Sequence, residues 1–407
     1  MEAVKIAEDI YWVGAIDWNQ RSFHGYETPR GTSYNSFLIL DEHPTLIDAV
    51  KAPFFTQLAQ RIRSVIDPRK IEYIVSNHSE PDHASGLRMA QTLTGGAKVF
   101  CSKMGKEDLR MNFGVMDVTV VEDGSEMKIG KHTLKFVYTQ MVHWPDSMMT
   151  YVPEKGILFS MDAFGQHFAS SKRFDDEVDE AVLFEEAEIY YANIILPYGP
   201  QVIKAFDRLK EFDLKLLATA HGILWRKNIA KILDKYAAYA TYRTDPTAVV
   251  VYDTMWGSTQ IMAETIAEGI SSEGVPVKVL RITDTPRSTI AREVMMSRAL
   301  VLGSPTLNNG IFPPVADIGT YLKGLKPKGH LAAVFNSYGW GAGTAKQMRD
   351  LLNGSGMELP FEDMQVQFVP DEAAREKCRE YGKQIARKIL GRESEGLPQP
   401  TPAIKSP

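Results

Sequence analysis

Two imidazoles and two carboxylates crowd into six positions at His78-Ser79-Glu80-Pro81-Asp82-His83, directly after the apolar run Ile71-Glu72-Tyr73-Ile74-Val75. A strand that ends in alternating polar residues aims His78, Glu80 and Asp82 to one side, and the start of a following helix brings His83 round to join them. Imidazole nitrogen mixed with carboxylate oxygen, without thiolate, suits iron, manganese or zinc and not a structural Cys-rich zinc site. Two metal ions fit this pattern better than one.

A lone histidine in a globular chain is usually a satisfied polar residue. Here the setting repeats. His143 follows the alternating run 134–138, His221 follows the apolar run 214–220, and Asp162 follows Gly156-Ile157-Leu158-Phe159-Ser160 in the same strand-then-ligand manner. Of the other histidines, His43, His132, His167 and His330 lack this setting and are expected to face solvent or fill polar gaps, whereas His24 is kept as a candidate.

The elements that must position these groups divide into two sets. A chain of 407 residues is too long for one ordinary core. Hydrophobic content of 44% and charged content of 24% mark a folded globular protein. No apolar stretch is long enough to span a membrane and the N-terminus lacks a signal-peptide layout, so a cytoplasmic protein is expected. Cys101 and Cys378 lie far apart outside any CxxC, which implies neither a disulfide framework nor an iron–sulfur cluster and leaves two buried thiols. A net charge of −5 with interspersed signs argues against nucleic acid as a main partner.

Residues 1–246 alternate short β-rich runs with helical patterns, among them 54–66, 86–93, 185–196 and 201–211, and predict a mixed α/β domain of sheets faced by helices. A helix at 227–242 leads into a linker at 243–247 marked by Pro246. From 247 to 391 strands at 248–252, 277–281, 299–302, 331–335 and 365–369 alternate with helices, the pattern of a doubly wound parallel sheet. The proline-rich stretch 392–407 reads as a disordered tail.

A second site follows from that order. The first strand runs into Thr254-Met255-Trp256-Gly257-Ser258-Thr259 and a helix, so backbone N–H groups and hydroxyls at a helix N-terminus would hold a phosphomonoester. Alone this is weak, because Gly-Ser-Thr turns are common helix caps. In a 2-1-3-4-5 sheet, however, ligands bind beyond strands one, three and four. Those strands lead into Ser304-Pro305-Thr306-Leu307-Asn308-Asn309 and Ser337-Tyr338-Gly339-Trp340-Gly341, which would surround a planar ring and stack on it. These describe a pocket for flavin mononucleotide (FMN). No GxGxxG follows the first strand, which disfavours a dinucleotide.

Together these residues resemble the flavodiiron proteins, in which a metallo-β-lactamase-like αββα domain with a non-haem diiron centre precedes a flavodoxin-like domain with FMN. The family's His-x-Glu-x-Asp-His motif stands here as His78, Glu80, Asp82 and His83, and its remaining ligands match His143, Asp162 and His221. Hydrolases of the same fold usually carry His where Glu80 stands. The resemblance implies that His78, Glu80 and His143 bind one iron, that Asp82, His83 and His221 bind the other, and that Asp162 bridges them. His24, and Tyr191 or Tyr190, are implied as proton donors beside the metals.

The implied activity is reduction of dioxygen to water, of nitric oxide to nitrous oxide, or both. Two electrons on FMN and two on a diferrous pair match the four that dioxygen needs. No CxxC pair of rubredoxin type is fused to the chain, so a separate rubredoxin, itself reduced by a pyridine-nucleotide enzyme, is the implied donor. A head-to-tail homodimer, or a dimer of such dimers, would set the flavin of one chain against the irons of another. The rivals are a metal-dependent hydrolase with an appended flavodoxin domain and a non-enzymatic electron carrier.

Overall fold

A computed structural model describes residues 1–114 and 117–392; the tail expected at 392–407 lies outside the described residues from position 393 onward. The chain divides into two compact units, Met1–Thr241 and the part from Tyr242 onward. No described helix is long and apolar enough to cross a membrane.

In the first unit, a seven-stranded sheet runs in the order Val4–Ala7, Ile10–Trp12, Phe37–Ile39, Thr45–Ile47, Tyr73–Ser76, Lys98–Cys101, Val118–Val120, with parallel pairing from Thr45–Ile47 onward. A five-stranded sheet, Glu126–Lys128, Thr133–Tyr138, Met148–Val152, Ile157–Met161, Leu216–Thr219, faces it. Phe37, Val75 and Phe100 from one sheet pack with Phe136, Phe159 and Leu216 from the other in one core. The outer face of the first sheet is covered by Leu58 and Ile62 of helix Phe55–Arg63 and by Leu87 and Ala90 of helix Leu87–Leu93. Every residue of Met148–Val152 and Ile157–Met161 is buried, so the second sheet is covered on both faces as well.

The turn after Tyr73–Ser76 is tied to both sheets. Asp48, at the end of Thr45–Ile47, accepts from the Asn77 backbone N–H at 2.7 Å and from Asn77 Nδ2 at 2.8 Å. Asn77 Oδ1 in turn accepts from the Thr150 hydroxyl at 2.7 Å, and the Asn77 carbonyl accepts from the Met148 N–H at 3.0 Å. Burial pushes the Asp48 carboxyl up to about 6, and the two Asn77 bonds hold it from rising further. Pro81 then opens the short helix Pro81–Ala84, where its missing N–H has no cost, and the helix swings Asp82 and His83 inward.

The second unit has the order Val277–Arg281, Asp245–Tyr252, Ser297–Leu307, Leu331–Tyr338, Met364–Gln367, all parallel, which is the 2-1-3-4-5 arrangement. Several expectations fail in detail. Pro246 is not in a linker loop but inside the strand Asp245–Tyr252, at the register shift between Asp245 and Ala248, where a ladder bond is missing anyway. The third strand does not stop at 302; it runs to Leu307 and folds back as a hairpin with Gly310–Ile311. Helices expected at 185–196 and 201–211 start earlier, as Glu180–Tyr190 and Gly199–Leu209, because Asp179 caps the first and Pro200 suits the first turn of the second.

Helices Ser258–Ser272 and Glu372–Ile389 approach closely through paired glycines: a Cβ on Gly269 would lie 2.0 Å from the Arg379 carbonyl oxygen and one on Gly382 2.1 Å from that of Ile266. Alanine would gain about 1 kcal/mol of helix propensity at either position. Contact with rigid backbone outweighs that gain, so Gly269→Ala is expected to destabilise this unit by about 1–3 kcal/mol in denaturant unfolding. In the first unit, Asn77→Ala leaves Asp48 and Thr150 each short of a buried partner. A loss of about 1–3 kcal/mol is expected, with a fall in metal content measured on the same samples.

Candidate functional site

All seven residues predicted as metal ligands converge at the strand ends of the first unit, and each is buried. His78, Glu80, His143 and Asp162 form one group of donors, and Asp82, His83 and His221 form another. Asp162 faces both. Its Oδ2 lies 3.4 Å from His78 Nε2 and 3.1 Å from His143 Nε2, while its Oδ1 lies 3.2 Å from His83 Nε2 and 3.4 Å from His221 Nε2. Glu80 Oε2 is 3.2 Å from both His78 Nε2 and His143 Nε2, and Asp82 Oδ2 is 3.2 Å from His221 Nε2.

Donor atoms this far apart suit ions bound at about 2.0–2.2 Å, which places their ligands roughly 3 Å from one another. Among the described residues, both oxygens of Asp82, both ring nitrogens of His83, His143 Nε2 and Asp162 Oδ1 have no hydrogen-bond partner outside this cluster. Buried polar atoms left this way cost stability unless something binds them, and a pair of cations does. The donor set therefore fits two metal ions.

Electrostatics point the same way. Burial pushes the imidazoles of His78, His83 and His143 toward neutrality, but the carboxylates of Asp146, Asp82 and Asp162 more than offset it and raise all three, His83 up to about 9. Burial likewise opposes charge on Glu80 and Asp162, and the surrounding imidazoles pull both well below the usual carboxylate range. The cluster thus favours positive charge, which bound metal ions would supply. His167 behaves oppositely: burial and the neighbouring His221 hold it neutral.

Around the cluster, His24 Nε2 donates to Glu80 Oε1 at 2.7 Å while its side chain stays 44% exposed, so it joins solvent to a buried carboxylate. Of the two tyrosine candidates, only Tyr190 is brought to the site, its ring 6.0 Å from that of His221 and 5.1 Å from that of His167. Tyr191 packs instead against Tyr236 and Tyr239. The helix changes at this point to a π-turn, Tyr191–Ile195, which rotates successive side chains differently from an α-helix.

His167 was expected in a polar gap; it sits fully buried against the site, its Nδ1 2.9 Å from the Thr32 hydroxyl, with Phe23, Tyr26 and His221 around it. Its sequence neighbourhood carries no strand-then-ligand signal, and only the chain's return after Asp162 places it. Asp146 was also missed. It accepts from His78 Nδ1, and its place three residues after His143 was the one available signal. His24, Asp48, Met141, Met161 and Phe164 all have positive φ, so left-handed backbone flanks the predicted ligands on several sides.

In the second unit a cavity of about 440 Å³ opens between the three predicted loops. Thr254, Met255, Trp256, Ser258, Pro305, Thr306, Asn308, Asn309, Ser337, Tyr338, Gly339, Trp340 and Gly341 line it. Leu307, Gly257, Thr259 and Ser304 stand behind the wall. Leu307 is taken up in the hairpin, Gly257 turns the chain at φ 89° into helix Ser258–Ser272, Thr259 bonds Ser337 Oγ at 2.8 Å, and Ser304 accepts from the Phe312 N–H at 3.0 Å. Phe368 also lines the cavity and was not foreseen, since it follows the last strand. A helix N-terminus at one end and the nearly free indoles of Trp256 and Trp340 at the rim fit a planar ring that carries a phosphate.

Comparison with known proteins matches both units. Residues 32–222 match the family described as ODP family beta lactamase, and residues 250–382 match flavodoxin. The chain is 40% identical to a nitric oxide reductase of Moorella thermoacetica over 95% of this chain and 99% of that one. It is similar to the solved rubredoxin oxygen:oxidoreductase of Desulfovibrio gigas, with TM-score 0.94 and 38% identity over 96% of this chain and 99% of that one. It is likewise similar to the flavodiiron protein of Giardia intestinalis, with TM-score 0.93 and 34% identity over 96% and 98% of the two chains. On both the paired domains and the near full-length similarity, the chain belongs to the flavodiiron protein family.

Proposed function

We propose that this chain is a reductase that uses a diiron centre and FMN to convert dioxygen to water, nitric oxide to nitrous oxide, or both. The observation that carries the reading is Asp162, whose two oxygens are divided between two sets of buried donors. His78, Glu80 and His143 would hold one iron and Asp82, His83 and His221 the other. Once bound, the metals and flavin supply stored electrons and open positions for a diatomic ligand.

The chain's own residues do the rest. Carboxylates at 80, 82 and 162 would balance the positive charge of bound iron, and the buried imidazoles would complete its ligands. His24, half-exposed and bonded to Glu80, carries protons inward from solvent, and the Tyr190 hydroxyl lies on the side of His221 and His167. The loops at 254–259, 305–309 and 337–341 hold FMN by backbone N–H groups and aromatic cover. Rubredoxin is the proposed electron donor, in line with the name of the Desulfovibrio gigas relative. The setting is the cytoplasm. A head-to-tail homodimer, or a pair of such dimers, brings flavin and iron of different chains together and covers the exposed Trp256 and Trp340.

Purified protein is expected to contain two irons and one FMN per chain, and after anaerobic reduction to be reoxidised rapidly by dioxygen or nitric oxide in stopped-flow mixing. Zinc in place of iron, with no gas consumed beyond slow flavin autoxidation, would return the hydrolase to first place. Asp162→Ala should lower gas consumption by more than about a hundredfold, because losing a ligand exceeds the ten- to hundredfold loss that follows removal of a ligand's partner. Flavin reduction by the donor should survive that change. Sedimentation should find dimers or tetramers, with activity per chain falling on dilution; a fully active monomer would count against the head-to-tail arrangement.

A further inference from the structure

We infer that the two metal positions are unequal, and that Asp146 makes the position formed by His78, Glu80 and His143 the tighter of the two. This rests on the two-metal reading above and concerns the groups behind the ligands.

Asp146 is 1% exposed and grips the His78 turn at two points. Its carboxylate lies 3.0 and 3.2 Å from His78 Nδ1 and accepts from the Ser79 backbone N–H at 2.6 Å. An ionised carboxylate only accepts, so Nδ1 carries the proton and Nε2 presents its lone pair to the cluster. Asp146 is itself fixed: its carbonyl accepts from the Ser102 hydroxyl at 2.6 Å, and the same hydroxyl caps helix Lys103–Phe113. Trp144 meets the His78 ring edge to face at 5.1 Å. In the same position Glu80 is held by His24 at 2.7 Å.

The other position lacks such backing. Among the described residues, Asp82 and His83 meet no hydrogen-bond partner beyond the cluster on any side-chain nitrogen or oxygen. Only His221 is supported, donating from Nδ1 to the neutral Ser33 carbonyl at 2.8 Å. A carboxylate behind an imidazole makes the ring a stronger donor than a carbonyl does, and donors already held in place lose less freedom when a metal arrives. Both effects favour the His78 position. Asp146 is therefore a positioning residue that acts through His78.

The test is equilibrium competition of the iron-loaded, full-length protein with a ferrous chelator under anaerobic conditions, counting iron released against chelator concentration. Wild type should give two midpoints of one iron each. Asp146→Asn should shift the tighter midpoint about ten- to hundredfold toward easier release and leave the weaker one in place. A purely structural role would loosen both irons together, and that result, an unmoved tighter midpoint, or a single shared midpoint in wild type would overturn the inference. Fewer than two irons per chain would remove the two-metal reading and this inference with it. Should Asp146→Asn not fold by circular dichroism, His24→Ala at its half-exposed position addresses the same iron through Glu80; loosening of the tighter iron alone supports the inequality, and no shift overturns it.

Discussion

Three carboxylates and four imidazoles share one buried pocket, and the rest of the first unit depends on satisfying them. Taking an unpaired carboxylate out of water costs several kcal/mol, far more than any one hydrophobic contact returns. Among the described residues no lysine or arginine pairs with these carboxylates, and the pull on Asp162 comes from His83, His143 and His78. Imidazoles can give up their protons to a metal, which a guanidinium cannot. The choice of counter-charge therefore keeps the pocket open to cations.

Holding such a cluster requires backbone that ordinary packing would not select. Asp48 and Met161 both take left-handed φ where a strand meets the site, and neither is glycine. The conformation persists because neighbouring bonds fix it: Asp48 takes both Asn77 donors, and its carbonyl accepts from the Ser36 hydroxyl at 2.8 Å. Since Asn77 also binds Thr150 and Met148 of the second sheet, a shift of one sheet against the other would be felt at His78 one residue on. The sandwich core and the site are coupled through that single turn.

What could be read from the sequence follows from how local each signal is. His78, Glu80, Asp82 and His83 were legible because a strand, a turn and a proline fix them within six positions. His143, Asp162 and His221 were legible by the repeated strand-then-ligand setting, and the parallel sheet order by its alternation. Tyr190 and Tyr191 could not be separated, because a π-turn changes which of two adjacent side chains points inward and leaves no period in the sequence. His167 and Asp146 were illegible as site residues for a similar reason: their partners, Thr32 and His78, lie 135 and 68 positions away. The long third strand hid behind Pro305, which ends pairing in most central strands but here lies beside the hairpin that closes the flavin cavity.

Glu80 is the residue at which the resemblance sets this site apart from hydrolases of the same fold, and charge explains why it would matter. With imidazole at that position the ligands would carry two negative charges, from Asp82 and Asp162; Glu80 makes it three. Two divalent zinc ions gain nothing specific from the extra charge, because their oxidation state never changes. An iron pair that cycles between ferrous and ferric does gain, since each added carboxylate favours the higher state and so makes the reduced pair a better electron donor. His24 then matters twice, for it touches the very carboxylate that makes the difference and does so through Oε1, leaving Oε2 turned to His78 and His143. A hydrogen bond there draws charge away from the metal-facing oxygen. On that reading Glu80 would set the reducing power of the iron pair and His24 would trim it.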